Sequence, residues 1–103
     1  MTIFIRDIVK SESAIAYDDG SKCLNLVMDS IEKDGSVVLD FQGINFVITA
    51  FLNPVIGDLI IKMGPDIMQK VKIANATQNI INKIKIVKDG ALLKRECLEA
   101  END

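Results

Sequence analysis

The chain has 103 residues, of which 49% are hydrophobic and 26% charged, and its formal net charge is −3. This length and composition predict one soluble globular domain, and the negative charge argues against a general attraction to nucleic acid or anionic membranes. The residues up to Lys10 lack the apolar core of a signal peptide, and the uncharged stretch 43–57 is too short to span a bilayer, so we expect a cytoplasmic protein.

The N-terminal third of the chain predicts a strand, an ambiguous segment and a helix. Isoleucines alternate loosely in residues 2–9, which is typical of a first strand near a sheet edge. Residues 11–17 fit either a short second strand or a loop. The DDGS sequence at 18–21 is a turn and helix-start signal, and the helix is predicted to run to about Lys33, before Gly35.

The clearest strand of the sequence is the apolar run VVLDF at residues 37–41, which follows an Asp-Gly turn signal. A nearly continuous apolar run is typical of a strand covered on both faces. Asp40 is its polar exception, and we expect its carboxylate to cap backbone donors at the end of the sheet. Residues 44–49 then alternate again, which predicts an extended segment that returns to the core.

An apolar helix follows, and its first residue can be placed in two ways. Asn53-Pro54 is a strong local start signal, because asparagine caps helices well and proline fits the first helical position. We therefore favour a helix that begins at Pro54, with residues 49–52 as a loop. In the alternative, the helix begins at Ala50 with Thr49 as its cap. Pro54 then lies inside the helix, where its lack of a backbone N–H removes a hydrogen bond and lowers stability.

The C-terminal half predicts a short strand and a long helix. A Gly-Pro pair at 64–65 ends the preceding helix, residues 71–74 form a short apolar strand, and Asn75 is a candidate helix cap. The next helix is predicted from an apolar stripe made of Ile80, Ile84, Val87 and Ala91. The β-branched residues at 83–87 would also fit a strand.

Strands separated by helices predict an α/β fold with a mostly parallel sheet. We expect one domain over residues 1–98 and an acidic tail over residues 99–103.

The residue inventory offers no catalytic set, no metal site and no cofactor motif. Histidine is absent, which removes the commonest general base and metal ligand. The two cysteines, Cys23 and Cys97, are far apart and lie in apolar helical patterns, so we expect buried, reduced thiols. Five lysines and no acidic residue occur in 70–88. They could form a docking patch for an acidic partner or nucleic acid, but without arginine or aromatic neighbours we favour a solvated face.

The segments VLDFQGINF at 38–46 and ITAFLN at 48–53 resemble a STAS-like family described as a domain of unknown function. That family is similar to the STAS domains of anti-sigma factor antagonists and of sulfate-transporter tails. The shared pattern is a strand ending in Asp, a turn, an aromatic residue and a hydroxyl residue that opens a helix. The resemblance implies one mostly parallel four-stranded sheet with three to four helices packed on it.

The resemblance also implies a function that centres on Thr49. In anti-sigma factor antagonists the hydroxyl residue at the matching place is phosphorylated by a partner kinase. A non-enzymatic regulatory module is therefore expected, docking on a kinase-like ATPase or another signalling partner. The residues implied for partner binding are Thr49, Ala50, Phe51, Leu52 and Asn53, with an exposed Phe51 as the natural anchor.

The local sequence departs from the family pattern, and alternatives stay open. Phosphoacceptor sites of STAS domains have Asp before the hydroxyl residue and Ser-Gly after it, whereas Ile48 precedes Thr49 here and Ala50-Phe51 follow. Thr49 could instead only cap a helix. The chain could then be a small-ligand-binding or oligomeric scaffold domain without a phosphoswitch. An exposed Thr49 would favour the docking hypothesis, and an enclosed pocket would favour the ligand hypothesis.

Overall fold

The computed structural model describes the backbone of residues 1–101 and the side chains of residues 1–96. The elements are β1 (Thr2–Phe4), α1 (Ile5–Val9), β2 (Ser13–Ala14), α2 (Tyr17–Asp34), β3 (Val37–Asp40), β4 (Phe46–Val47), α3 (Thr49–Leu52), a π-helical segment (Asn53–Asp58), α4 (Leu59–Met63), a 3-10 segment (Pro65–Lys70), β5 (Val71–Ala74) and α5 (Gln78–Glu101). The predicted burial of Cys97, and the end of the predicted acidic tail at 102–103, lie outside the described residues.

The main sheet has three parallel strands in the order β1-β3-β5. Ile3, Leu39 and Ile73 are in register across it and point toward the helices, and the first two are buried. The opposite face carries Phe4, which is 45% exposed, and the half-buried Val38. The α/β class and the parallel sheet are therefore confirmed. On β3 itself, Asp40 is buried on the same face as the half-buried Val38, so this strand is largely covered on both faces, as expected.

The prediction of a single four-stranded sheet is also wrong. β2 and β4 pair with each other, in parallel, and form a separate two-stranded ribbon. The chain leaves β3 through a turn in which Gly43 has φ +80°, a conformation that suits glycine. This turn directs the chain away from the edge of the main sheet and onto the segment after α1, where Ser13 meets Phe46 and Ala14 meets Val47.

The predicted first strand is correct only for its first half. The chain becomes helical at Ile5, and α1 covers residues 5–9. Ile5, Ile8 and Val9 are spaced as on one face of a helix, and Ile5 is fully buried. The short apolar run fits both the two-residue repeat of a strand and the 3.6-residue repeat of a helix. Packing against α2 favours the helix.

The two long helices match the sequence pattern over most of their length. However, α2 begins at Tyr17, so the DDGS segment at 18–21 is helical and does not form a turn before the helix. α2 ends at Asp34, and Gly35 takes a left-handed conformation with φ +81°, as a glycine after a helix commonly does. In α5, the predicted stripe of Ile80, Ile84, Val87 and Ala91 is buried.

The predicted cap of α5 is wrong. Asn75 has φ +55° and lies before the helix, whereas Thr77 Oγ1 accepts a hydrogen bond of 3.2 Å from the backbone N–H of Ile80. Thr77 is therefore the residue that caps α5.

The central helix, which we define as the helical run over residues 49–63, begins earlier than its local signal predicts. Ile48 is extended, with φ −113° and ψ 162°, and Thr49 is the first helical residue, so the favoured start at Pro54 is wrong. Asn53 is helical, and its backbone N–H donates to the carbonyl of Thr49 instead of standing outside the helix as a cap.

Pro54 is accommodated by a change of helix type. Inside an α-helix, proline lacks a donor and its ring crowds the carbonyl four residues earlier. The chain widens into a π-helical turn over Asn53–Asp58, which is a known way of absorbing such a defect. Val55 and Ile56 of this turn are fully buried, and the turn packs on both α2 and α5, so long-range packing outweighs the local preference. Within the residues that the structure describes, no helix is long and apolar enough to cross a membrane.

Candidate functional site

Thr49 lies at the surface, where the two-stranded ribbon leads into the central helix. β4 ends at Val47, and the single residue Ile48 separates it from Thr49. Thr49 is an exposed residue, as the docking hypothesis requires.

The segment implied for partner binding divides into an inner and an outer set. Phe51 and Leu52 are fully buried, with 0% exposure, and Ala50 is half-buried. Thr49 and Asn53, which are four residues apart on one helix face, are both exposed. The interpretation of Phe51 as an exposed anchor is therefore wrong, because a helical rather than looped backbone turns that side chain into the core.

An open groove of about 520 Å³ runs between the central helix and α5. Its walls are formed by two sets of residues that recur about every fourth position: Thr49, Asn53, Gly57, Asp58 and Ile61 on one helix, and Ile86, Val87, Gly90, Ala91 and Lys94 on the other. Thr49 stands at the N-terminal end of the central-helix wall.

The groove combines a small-residue floor with an apolar edge. Gly57, Val87 and Ala91 are buried beneath it, whereas Ile86 is 65% exposed at its side. An exposed branched side chain beside an open groove is a feature of binding surfaces.

A second exposed apolar side chain lies upstream of Thr49. Phe46 is 50% exposed, and the ammonium group of Lys83 lies 4.7 Å from the centre of its ring, which is a cation–π contact. Lys83 Nζ also donates a hydrogen bond of 2.6 Å to the carbonyl oxygen of Val47. The half-buried Lys83 thus ties α5 to the strand that leads to Thr49.

Sequence reasoning did not find Lys83, Phe46 or Ile86. Lys83 was counted among the lysines of a solvated face, and it differs from the exposed Lys70, Lys72 and Lys85 only in what it packs against. It lies 36 residues from Val47, so no local pattern could connect the two.

Asp40 has a structural role. It is buried, with 9% exposure, and its carboxylate accepts hydrogen bonds from the backbone N–H of Gln42 at 2.9 Å and from Asn75 Nδ2 at 3.0 Å and 3.2 Å. These bonds join the ends of β3 and β5. The interpretation of Asp40 as a capping carboxylate is confirmed.

The described residues offer little to a covalent mechanism. Burial raises the pKa of the Cys23 thiol to about 12, so it carries almost no thiolate at neutral pH. No cluster of three or more metal-ligating side chains occurs in the part of the chain that the structure describes.

The comparisons with known proteins give one match. The family model of a STAS-like domain of unknown function (DUF4325) matches residues 25–81, which is more than half of the chain. No curated protein and no solved structure matches the chain. The matched segment contains most of α2, β3, the ribbon strand β4, the central helix and β5, and it ends in the first turn of α5.

Proposed function

Because the chain belongs to the STAS-like domains of unknown function, we propose that it is a non-enzymatic regulatory module that docks on another signalling protein. A kinase-like ATPase is the partner class that the resemblance to anti-sigma factor antagonists suggests. The observation that carries the proposal is the exposure of Thr49 at the head of the central helix, beside an open groove.

The docking surface that we propose is centred on Thr49 and Asn53 and flanked by two exposed apolar side chains. Phe46 lies before Thr49 on the ribbon, and Ile86 lies beside the groove on α5. These two replace Phe51 as the anchors, because anchors of protein interfaces are apolar or aromatic side chains that a partner can cover.

Phosphorylation of Thr49 would switch the surface off. The partner's ATP supplies the phosphoryl group: a bond forms between Thr49 Oγ and the γ-phosphorus, the bond to the β-phosphate oxygen breaks, ADP leaves, and a base of the kinase takes the hydroxyl proton. The product carries about −1.5 to −2 charges at pH 7 at the centre of the contact. A helix N-terminus tolerates negative charge, so the fold persists while the interface fails.

A capture experiment from the native cell tests the docking proposal. The wild type, Thr49→Ala and Thr49→Asp are immobilised, together with Phe46→Ala and a control variant, Leu26→Ala, which removes an exposed side chain from α2. We expect a partner that the wild type, Thr49→Ala and Leu26→Ala recover equally. Recovery should fall about tenfold with Thr49→Asp and with Phe46→Ala, the effect of losing a modest hot spot.

Two results would decide against the proposal. If all five proteins recover every partner equally, the surface around Thr49 does not bind. If Leu26→Ala weakens recovery as much as Phe46→Ala does, the contact lies elsewhere.

The volume of the groove favours a second candidate function, the binding of a small ligand. A groove of about 520 Å³ falls within the size range of ligand sites. Native mass spectrometry of the protein purified from its own cell would detect a bound molecule, and Gly90→Trp, which fills the groove, would remove it. A mass equal to that of the bare chain would contradict this candidate.

A further inference from the structure

We propose that Lys83 is the cation that receives the phosphate when Thr49 is phosphorylated. The inference rests on the proposed phosphoswitch and adds the residue through which the phosphate acts. It starts from an ammonium group that is held close to Thr49 by neutral partners only.

Lys83 and Thr49 are neighbours across the junction of β4 with the central helix. The Lys83 ammonium lies 2.6 Å from the carbonyl oxygen of Val47, two residues before Thr49. Thr49 also shares the groove with Ile86 and Val87, which follow Lys83 by three and four residues. Residues at these spacings lie on one face of a helix, so Lys83 is on the side of α5 that faces Thr49.

The charge of Lys83 has no anionic partner in the described part of the chain. Its contacts are a carbonyl oxygen and an aromatic ring, and no carboxylate of residues 1–96 lies within ion-pair distance of it. A phosphate oxygen is a much stronger acceptor for an ammonium group than a neutral carbonyl. The lysine stem is flexible, so Nζ can move from Val47 to a group on Thr49 without a change of backbone.

The two charged residues that line the groove, Asp58 and Lys94, lie too far from Thr49 to compete. Asp58 lies nine residues after Thr49, and Lys94 lies eleven residues after Lys83. At about 1.5 Å per residue, Lys94 is about 16 Å farther along α5 than Lys83, and Asp58 is about two turns farther along the central helix than Thr49.

The transfer of Lys83 would alter the docking surface in two ways at once. The ammonium group leaves the ring of Phe46, so this aromatic side chain loses its cation–π contact. The positive charge that a partner meets in the unmodified protein becomes neutralised within the fold. Phosphorylation therefore acts on Phe46 as well as on Thr49.

The test uses the full chain with phosphothreonine placed at position 49 during translation, so no kinase needs to be known. A 31P NMR titration gives the second pKa of the phosphate, which is about 6 for an unpaired group. We expect a lower value in the otherwise wild-type protein, and a rise of about one unit with Lys83→Met, because a nearby cation favours the dianion. Lys83→Arg should keep the low value.

Lys85→Met is the matched control, because Lys85 is exposed and is two residues away on the same helix. It removes the same charge from α5 and should leave the phosphate pKa unchanged. If Lys83→Met leaves the phosphate pKa unchanged, or if both methionine variants raise it equally, Lys83 is not the receiving group. Either result leaves the docking proposal standing, because capture through Thr49 does not depend on Lys83.

A second measurement needs no substitution of Lys83. In the unmodified protein the Lys83 side-chain protons near Nζ lie over the ring of Phe46 and should show an upfield NMR shift. Phosphothreonine at position 49 should move them toward the values of a free lysine. An unchanged upfield shift in the phosphorylated protein would overturn the proposal, even if a Lys83 variant fails to fold.

Discussion

The central helix meets its two helical neighbours in opposite ways. On the α2 side, a Cβ atom added at Gly20 would overlap the carbonyl oxygen of Phe51 and come within 2.6 Å of Pro54 Cγ. On the α5 side, Gly57 lies under an open groove, and a Cβ added at Gly90 would have no heavy atom within 4 Å. The α2 contact is filled up to the helix backbone, whereas the α5 contact has a buried floor with an open groove above it.

The difference explains how a short helix with a proline in it can serve as a binding platform. Buried contacts with α2 and with Val87 and Ala91 of α5 fix the helix, so the exposed residues beside the groove do not need to contribute to stability. Thr49 and Asn53 can then be exposed at no cost to the core. Substitutions on the two faces should therefore separate stability from binding.

The largest difference between the faces should appear in thiol reactivity. In a Cys97→Ser background, the thiol introduced by Thr49→Cys should react with iodoacetamide about a thousandfold faster at pH 8 than Cys23. The reason is that burial raises the Cys23 pKa from 9.0 to about 12, which lowers its thiolate fraction by that factor. Rates are followed by mass spectrometry, with 8 M urea as the control that should equalise them. Similar rates in the folded proteins would mean that the α2 face is open.

The raised pKa of Cys23 also predicts how the free energy of unfolding changes with pH. The unfolded state loses the thiol proton near pH 9, whereas the folded state keeps it to about pH 12. The contribution of the neutral thiol to stability is therefore complete below pH 9 and is lost as the pH rises from 9 toward 12. Cys23→Ala should flatten this part of the dependence of the unfolding free energy on pH.

Gly20→Ala should cost about 1–3 kcal/mol of unfolding free energy, as overpacking in a core does. The new methyl group has to displace the Phe51 carbonyl or the Pro54 ring, and the better helix propensity of alanine is too small to compensate. Urea denaturation measures the change. Asn25→Ala, an exposed position on the same helix, is the control and should change stability by less than about 0.5 kcal/mol. If both variants are equally stable, the α2 face is less tightly packed than this structure indicates.

The sequence predicts the elements whose pattern and stop signal agree. β3 has an apolar run, α2 ends before Gly35, and the stripe of α5 continues over several turns, so local physics suffices for all three. The start of the central helix could not be predicted in the same way. Its local signal, Asn53-Pro54, is overridden by packing against Gly20, which lies more than thirty residues away.

The residues of the candidate site also divide into those that the sequence identifies and those that only the fold brings together. Thr49 could be selected from the sequence because residues 38–53 resemble the STAS-like family, whose pattern places a hydroxyl residue at this position. Ile86 and Lys83 come from a helix more than thirty residues later. Only the fold brings Ile86 to the groove and Lys83 to the strand that leads to Thr49. Phe51 points into the core because the central helix begins at Thr49. The wrong prediction of that start therefore also made the prediction of Phe51 as an exposed anchor wrong.

Gly90→Ala should have the smallest effect of these variants. Unlike Gly20→Ala, it should raise the free energy of unfolding, by about 0.5–1 kcal/mol. The added methyl group meets open space, and alanine favours the helix. Gly35→Ala is the matched control, since its Cβ also meets open space but its φ of +81° strains an L-residue; it should lose about 1 kcal/mol. If Gly90→Ala also lowers partner recovery, the glycine is kept for close approach of a partner, because nothing inside the chain requires it. A loss of stability in Gly90→Ala would instead mean that the groove is closed in solution.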